Sequence, residues 1–224
     1  MTGSDLDLAL SMGYFRMQQQ VFTCHYLSFN DQLYTAHWLR IVLENVVIGK
    51  RQRDLANRNR AFTITAKPLV ISTELDELYA VYRQSISFDA PVSVRDCLFG
   101  AETGNRFNTR VIEVRDEGRL IAAGIFDLGQ NSLAGIMNFY HPDYRRHSLG
   151  KYLMWLKIRY GIQLRLTHYY PGYVVNHYPK FDYKVEAAET ATEFFDASRD
   201  EWVPFCWETL RRVAAEMFPV PAPN

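Results

Sequence analysis

Thr109 to Tyr140 reads TRVIEVRDEGRLIAAGIFDLGQNSLAGIMNFY and continues as HPDYRRHSLGKYLMWLKIRYGIQLRLTHYY to Tyr170; the order of patterns in this stretch decides the fold. Thr109 to Arg115 alternates as a strand, Asp116-Glu117-Gly118 predicts a tight hairpin, and Leu120 to Leu128 returns. Gly129-Gln130-Asn131 turns again and Leu133 to Tyr140 supplies a third strand. The period then changes. Ser148 stands as an N-cap before Leu149, Tyr152, Leu153, Leu156 and Tyr160, one stripe of a helix, and Leu164 to Tyr170 reads as a strand returning to the sheet. Three antiparallel strands, a loop, a helix and a strand laid parallel beside the third predict a mixed α/β protein of the α+β kind.

Upstream, Gly13 to Leu27 has a strand-turn-strand pattern and Trp38 to Val47 alternates, which predicts a small N-terminal sheet. Lys50 to Arg60 carries five basic residues and few apolar ones, as an exposed basic helix does. Ser72 caps a helix with Leu75, Leu78, Tyr79, Tyr82 and Ile86 on one face. The expected division is a small N-terminal α/β subdomain over residues 1–105 and a core with a C-terminal helix over 106–224.

The 224 residues suffice to bury a full core. Lysine plus arginine balances aspartate plus glutamate at 25 each, which argues against indiscriminate nucleic-acid binding and leaves room for a local basic groove. No apolar run has the length of a membrane helix, and the N-terminus, with Asp5 and Asp7 and no basic segment, does not read as a signal peptide. No membrane partner is expected, and the expected compartment is the cytoplasm. Cys24, Cys97 and Cys206 are too far apart for a metal-binding pair, so reduced, mostly buried thiols and no metal are expected.

Chemistry concentrates downstream of the meander. The loop Pro142 to Gly150 leads into a helix N-terminus, where backbone N–H groups hold an anionic or carbonyl-bearing group. About 20 residues later come Tyr169-Tyr170-Pro171-Gly172-Tyr173 and Pro179-Lys180-Phe181-Asp182-Tyr183-Lys184. The element order resembles the acetyltransferase-like (GNAT) core. That resemblance implies a mixed sheet flanked by helices, with central strands that splay and a substrate in the opening. Arg145, Ser148 and Gly150 are similar to the acyl-carrier loop of that fold, with serine in place of its first glycine.

Gly118-Arg119-Leu120-Ile121-Ala122-Ala123-Gly124, Asp127-Leu128, Phe139 to Tyr144, Ser148-Leu149-Gly150, Tyr169 to Tyr173, Pro179-Lys180 and Tyr183-Lys184 resemble the C-terminal domain of the arginyl- and leucyl-tRNA protein transferases. Gly13 to Arg16, Gln52 to Leu55 and Arg58-Asn59 resemble that family's N-terminal region, without its cysteine cluster: only Cys24 remains, with His25 and His37 nearby. The resemblance implies transfer of an amino acid, arginine or leucine, from charged tRNA to the amino group of a protein or peptide N-terminus, usually Asp or Glu. Aminoacyl-tRNA is then the co-substrate, with no other cofactor. An acyl-CoA-dependent N-acyltransferase, or tRNA-dependent aminoacylation of a small metabolite, is the alternative.

An aminoacyl ester is already activated, so such an enzyme places a neutral amine, accepts a proton and stabilises an oxyanion. Asp127 is the candidate to orient or deprotonate the amine; the Ser148 to Gly150 backbone or the Tyr170 hydroxyl would stabilise the oxyanion. Lys180 and Lys184 are candidates for the tRNA 3′ end or an acceptor carboxylate. Tyr140, Gly150, Gly172, Tyr173 and Tyr183 complete the expected substrate site. Arg51, Arg53 and Arg58 form the expected tRNA phosphate patch.

Overall fold

The computed structural model describes residues 1, 3–29 and 31–218. Helix α1 (Gly3–Ser11) buries Leu6 and Leu10 and precedes a ribbon of β1 (Phe15–Met17) and β2 (Gln20–Phe22). β3 (Tyr26–Phe29) and β4 (Gln32–Val42) pair, and a short 3-10 turn at Leu43–Asn45 leads to α2 (Lys50–Arg58), which has no buried residue. β5 (Thr63–Pro68) precedes α3 (Thr73–Gln84) and α4 (Val94–Phe99). The meander is β6 (Thr109–Asp116), β7 (Arg119–Leu128) and β8 (Ser132–Tyr140). α5 (Leu149–Gln163), β9 (His168–Val175), β10 (Thr192–Asp196), β11 (Glu201–Pro204) and α6 (Trp207–Met217) complete the order.

Local chemistry accounts for the elements that the periodicity predicts. Glu117 and Gly118 both have positive φ, 46° and 88°, the conformation of a two-residue hairpin turn that keeps the twist of β6 and β7. The Ser72 hydroxyl accepts from the Leu75 N–H at 3.3 Å and starts α3. Among the described residues the main sheet runs β11-β10-β4-β9-β8-β7-β6-β5, with β3 on the end of β4. Helix α5 covers one face, burying Leu149, Leu153 and Trp155 with Ile112, Ile121 and Phe126. α3 and α4 cover the other through Leu75, Leu78 and Leu98 against Val111, Ile125 and Phe139. No helix among the described residues is long and apolar enough to cross a membrane.

Four expectations are corrected. The strand expected at Trp38 to Val47 is β4, which ends at Val42. It joins no separate N-terminal sheet: it pairs with β9 from Ala36↔Val175 to Val42↔His168 and with β10 on its other side. Segments on both sides of residue 105 therefore share one sheet. The strand expected over Leu164 to Tyr170 starts only at His168, after a turn with Arg165 at φ 58°, and continues through Pro171 and Gly172 to Val175. Proline is tolerated there because the register slips: Leu39 faces Gly172 and Ile41 faces Tyr169, so two residues of β9 bulge against Arg40. Ser148 is left-handed, φ 53° and ψ 43°, and its side chain makes no cap hydrogen bond. Of the thiols, Cys24 and Cys97 are half-buried and Cys206 is exposed.

Candidate active site

β8 and β9 run parallel for three pairs only, Ser132↔His168 to Ala134↔Tyr170. Past them β7 holds β8 on one side and β4 holds β9 on the other, and the strands part. The opening is a cavity of about 470 Å³ between Gly135 to Asn138 and Pro171 to Tyr173. Phe15 and Trp38, stacked at 3.6 Å, close one wall, and Met154 and Lys157 of α5 lie opposite. Gly135 is required by close approach, since a Cβ there would sit 2.9 Å from the Tyr169 hydroxyl. The wall is mostly apolar, and Asp96 is its single carboxylate among the described residues.

Three basic groups reach this cavity. Arg16 leaves β1 to donate to both carboxylate oxygens of Asp127, at 2.8 and 3.1 Å, and to the Leu98 carbonyl; the two side chains are 1% and 0% exposed. Asp127 also accepts from the Thr109 hydroxyl at 2.6 Å. Burial raises its pKa against the pull of Arg16 and Thr109. Lys157 is buried, and its Nζ donates to the Ile125 and Met137 carbonyls and to Asn138 Oδ1. Those groups flank the slip between β7 and β8, where Ile125 faces Met137 but Phe126 faces Gly135. Burial pushes the Lys157 pKa down to about 7, opposed by Asp127. Lys184 donates to the Tyr173 carbonyl at 2.9 Å and lies 4.6 Å from the Tyr173 ring centre; burial and then the Lys180 charge bring its pKa to about 7.

A second cavity, about 630 Å³, adjoins the first: Met154 and Tyr183 line both. Arg51 and Arg58 of α2, Ser148 and Trp155 form its wall. Arg58 donates to the Ser148 hydroxyl at 3.2 Å.

The structure thus brings Gly172, Tyr173, Tyr183 and Lys184 together at the splay, and Arg51, Arg58 and Ser148 at the second cavity. The other expected residues are elsewhere. Asp127 does not line the splay cavity, and its carboxylate is already engaged by Arg16 and Thr109. Tyr170 packs against Phe15 and Trp202 and borders a small pocket beside Arg40; Tyr169, one residue earlier, lines the splay. The Ser148 N–H donates to the Arg145 carbonyl. Lys180 is exposed, its Nζ 3.7 Å from the Phe88 ring centre. Arg53 donates to the Ile48 carbonyl and is off the wall. Tyr140 packs on Tyr82, and Gly150 lies beside it. His37 is buried and bonded to the Thr35 hydroxyl at 3.2 Å; among the described residues no three His, Cys, Asp or Glu side chains gather in a metal-binding group.

Several residues of the two cavities escape sequence reasoning, among them Trp38, Asp96, Met154, Trp155 and Lys157. Lys157 carries a signal, a lysine between Leu156 and Ile158 and four residues after Leu153 in an apolar helix. Trp38, whose indole N–H has no partner, carries none.

A mixed sheet opened between two parallel strands, with a helix packed beside the opening, is a GNAT-like fold. Residues 74–191 match the family described as arginine-tRNA-protein transferase, C terminus, and the chain belongs to that family. It is an aminoacyltransferase that takes its amino acid from charged tRNA. The chain is 28% identical over 173 residues to an aspartate/glutamate leucyltransferase of Pseudomonas putida, covering 70% of this chain and 71% of the relative. It is 29% identical over 175 residues to that of Pseudomonas fluorescens, with the same coverage. Among solved structures, L-PGS from Bacillus licheniformis aligns with a TM-score of 0.45 at 16% identity, over 80% of this chain and 53% of that one.

Proposed function

We propose that this enzyme transfers leucine from charged tRNA to the N-terminal amine of proteins that begin with Asp or Glu. The relatives that bear the name aspartate/glutamate leucyltransferase support the substrates. The observation that carries the choice of leucine is the wall of the splay cavity. Phe15, Met17, Phe22, Trp38 and Met137 suit an aliphatic side chain, whereas a guanidinium would be desolvated there with Asp96 as its single carboxylate partner.

In this reading the acceptor amine attacks the ester carbonyl, a C–N bond forms, and the C–O bond to the tRNA 3′ oxygen breaks. The proton released by the amine ends on that oxygen. Lys184 holds the acceptor carboxylate in its ammonium form, with one N–H on the Tyr173 carbonyl and two to offer, the bound carboxylate opposing the burial that lowers its pKa. The Arg16–Asp127 pair locks β1, and with it Phe15, against the core, so Asp127 acts as a positioning residue and not as the base. Arg51 and Arg58 meet tRNA phosphates. Functionally, residues 1–105 supply the Phe15 and Trp38 wall and the basic helix, and residues 106–224 supply the opened sheet.

Incubation with a mixture of charged tRNAs and peptides starting with Asp, Glu or Lys, read by mass, tests this. Leucine added to the acidic peptides is expected. Arginine in its place would overturn the reading of the wall, and transfer to a small metabolite alone would overturn the acceptor.

A further inference from the structure

Aminolysis of an ester passes through a tetrahedral intermediate whose oxygen carries a full negative charge, and that oxygen needs donors already in place. The groups expected to supply them, Ser148, Gly150 and Tyr170, lie off the wall of the splay cavity. Asn138 is part of that wall, half-buried on β8 where the strands part. Its Oδ1 accepts from Lys157 Nζ at 2.9 Å, and its Nδ2 meets no acceptor among the described residues. Lys157 Nζ also donates to the Ile125 and Met137 carbonyls, so three acceptors take the three N–H groups of an ammonium. An ammonium accepts nothing, so the Asn138 amide cannot turn its NH2 toward it; the oxygen stays on Lys157 and the NH2 is left for the cavity. Gly124, paired with Asn138, leaves room for this clamp: a Cβ there would stand 3.1 Å from Oδ1 and 3.2 Å from Lys157 Cε.

We infer that the Asn138 amide donates to the oxyanion of the transfer reaction and that Lys157 is the residue that positions it. The inference rests on the reading above, in which an amine attacks the ester carbonyl. As the C–N bond forms, the carbonyl π pair moves onto oxygen and Nδ2–H donates to it. The pair returns as the C–O bond to tRNA breaks, and the proton lost by the amine passes to the 3′ oxygen. Lys157 takes no part in that proton transfer; it supplies orientation. The Tyr169 hydroxyl is the competing donor, since it lies over Gly135 in the same wall with no partner among the described residues. A hydroxyl turns about its C–O bond, whereas the clamped amide holds one direction and needs no reorganisation as charge develops.

Leucine transfer from charged tRNA to an Asp-initiated peptide, followed in single turnover with the full chain, separates the saturating rate from the half-saturating peptide concentration. It is run below pH 7, where Lys157 is an ammonium. Asn138→Leu is expected to lower the saturating rate about 100- to 1,000-fold with half-saturation unchanged, the mark of a contact made only in the transition state. Asn138→Asp keeps an acceptor for Lys157 and loses the donor, so the same loss is expected without a lower melting temperature; it decides should Asn138→Leu fail to fold. Lys157→Met is expected to cost about 10- to 100-fold, and Lys157→Gln, which keeps an N–H for Asn138, to recover most of that. A lysine that only filled space would be replaced better by methionine. Wild-type rates in both Asn138 variants, or a loss confined to half-saturation, would overturn the donor and leave the tRNA-dependent reading standing. A loss in Tyr169→Phe with none in the Asn138 variants would do the same. Absence of transfer from any charged tRNA by the wild-type chain would overturn both.

Discussion

At Arg16 the N-terminal ribbon is tied to the core by one guanidinium. Its carboxylate partner is 0% exposed, so removing the arginine strands a buried charge. Arg16→Met is expected to cost about 3–5 kcal/mol, measured by denaturant unfolding. A loss under 1 kcal/mol would show that Asp127 finds another partner or becomes neutral on folding. Lys184 and Lys180, alike in sequence, are unlike in place. Lys184→Ala removes a charge-assisted contact worth roughly 1.5–3 kcal/mol and is expected to lower transfer to acidic acceptors about 10- to 100-fold. Lys180→Ala, at an exposed position over Phe88, is expected to stay near wild type. Equal rates for the two variants would remove Lys184 from the acceptor site.

Among the elements, α5 shows how far periodicity reaches. One apolar stripe is expected, yet Tyr152 to Ile158 are buried without interruption, because the sheet covers one side while Leu55 of α2 and Ala187 to Ala191 cover the other. Lys157 is enclosed by that packing, not by its own sequence. At the start of the helix Ser148 holds a left-handed backbone that favours glycine. Ser148→Gly is expected to raise stability by about 0.5–1 kcal/mol, the steric relief exceeding the added chain entropy. A lower melting temperature would mean that the Arg58 hydrogen bond outweighs the strain. The basic α2 is exposed as expected, but only tertiary packing distinguishes its arginines: 51 and 58 face the second cavity and 53 turns back to Ile48.

Over the whole molecule, Lys157 and Lys184 set a pH dependence. Burial brings both pKa values from the ordinary 10.5 to about 7, so the folded protein holds fewer protons than the unfolded chain between these limits. Stability from these two groups therefore rises with pH from about 7 to about 10.5, and their burial cost is fully present below pH 7. Lys157→Met is expected to flatten the rise in melting temperature between pH 7 and 9. An unchanged slope would show that Lys157 stays charged, held by Asp127 and its three acceptors.

The meander, the helix after it and the return of the chain to a parallel position were legible because each rests on local causes: alternation, a positive-φ turn at Glu117-Gly118, a 3.6-residue stripe. Within the stretch from Tyr169 to Lys184, Tyr169, Gly172, Tyr173, Tyr183 and Lys184 line the splay, whereas Tyr170 and Lys180 do not. Tertiary structure alone decided the rest. β4 enters the sheet centre beside a strand more than 120 residues away, Ala36 against Val175, and a pairing at that separation leaves no trace in a local window. Arg16 meets Asp127 across 111 residues and turns an apparent catalytic base into a sealed partner. Along β9 the pleat puts Tyr169 at the cavity and Tyr170 on the opposite face, a choice that one residue of register controls.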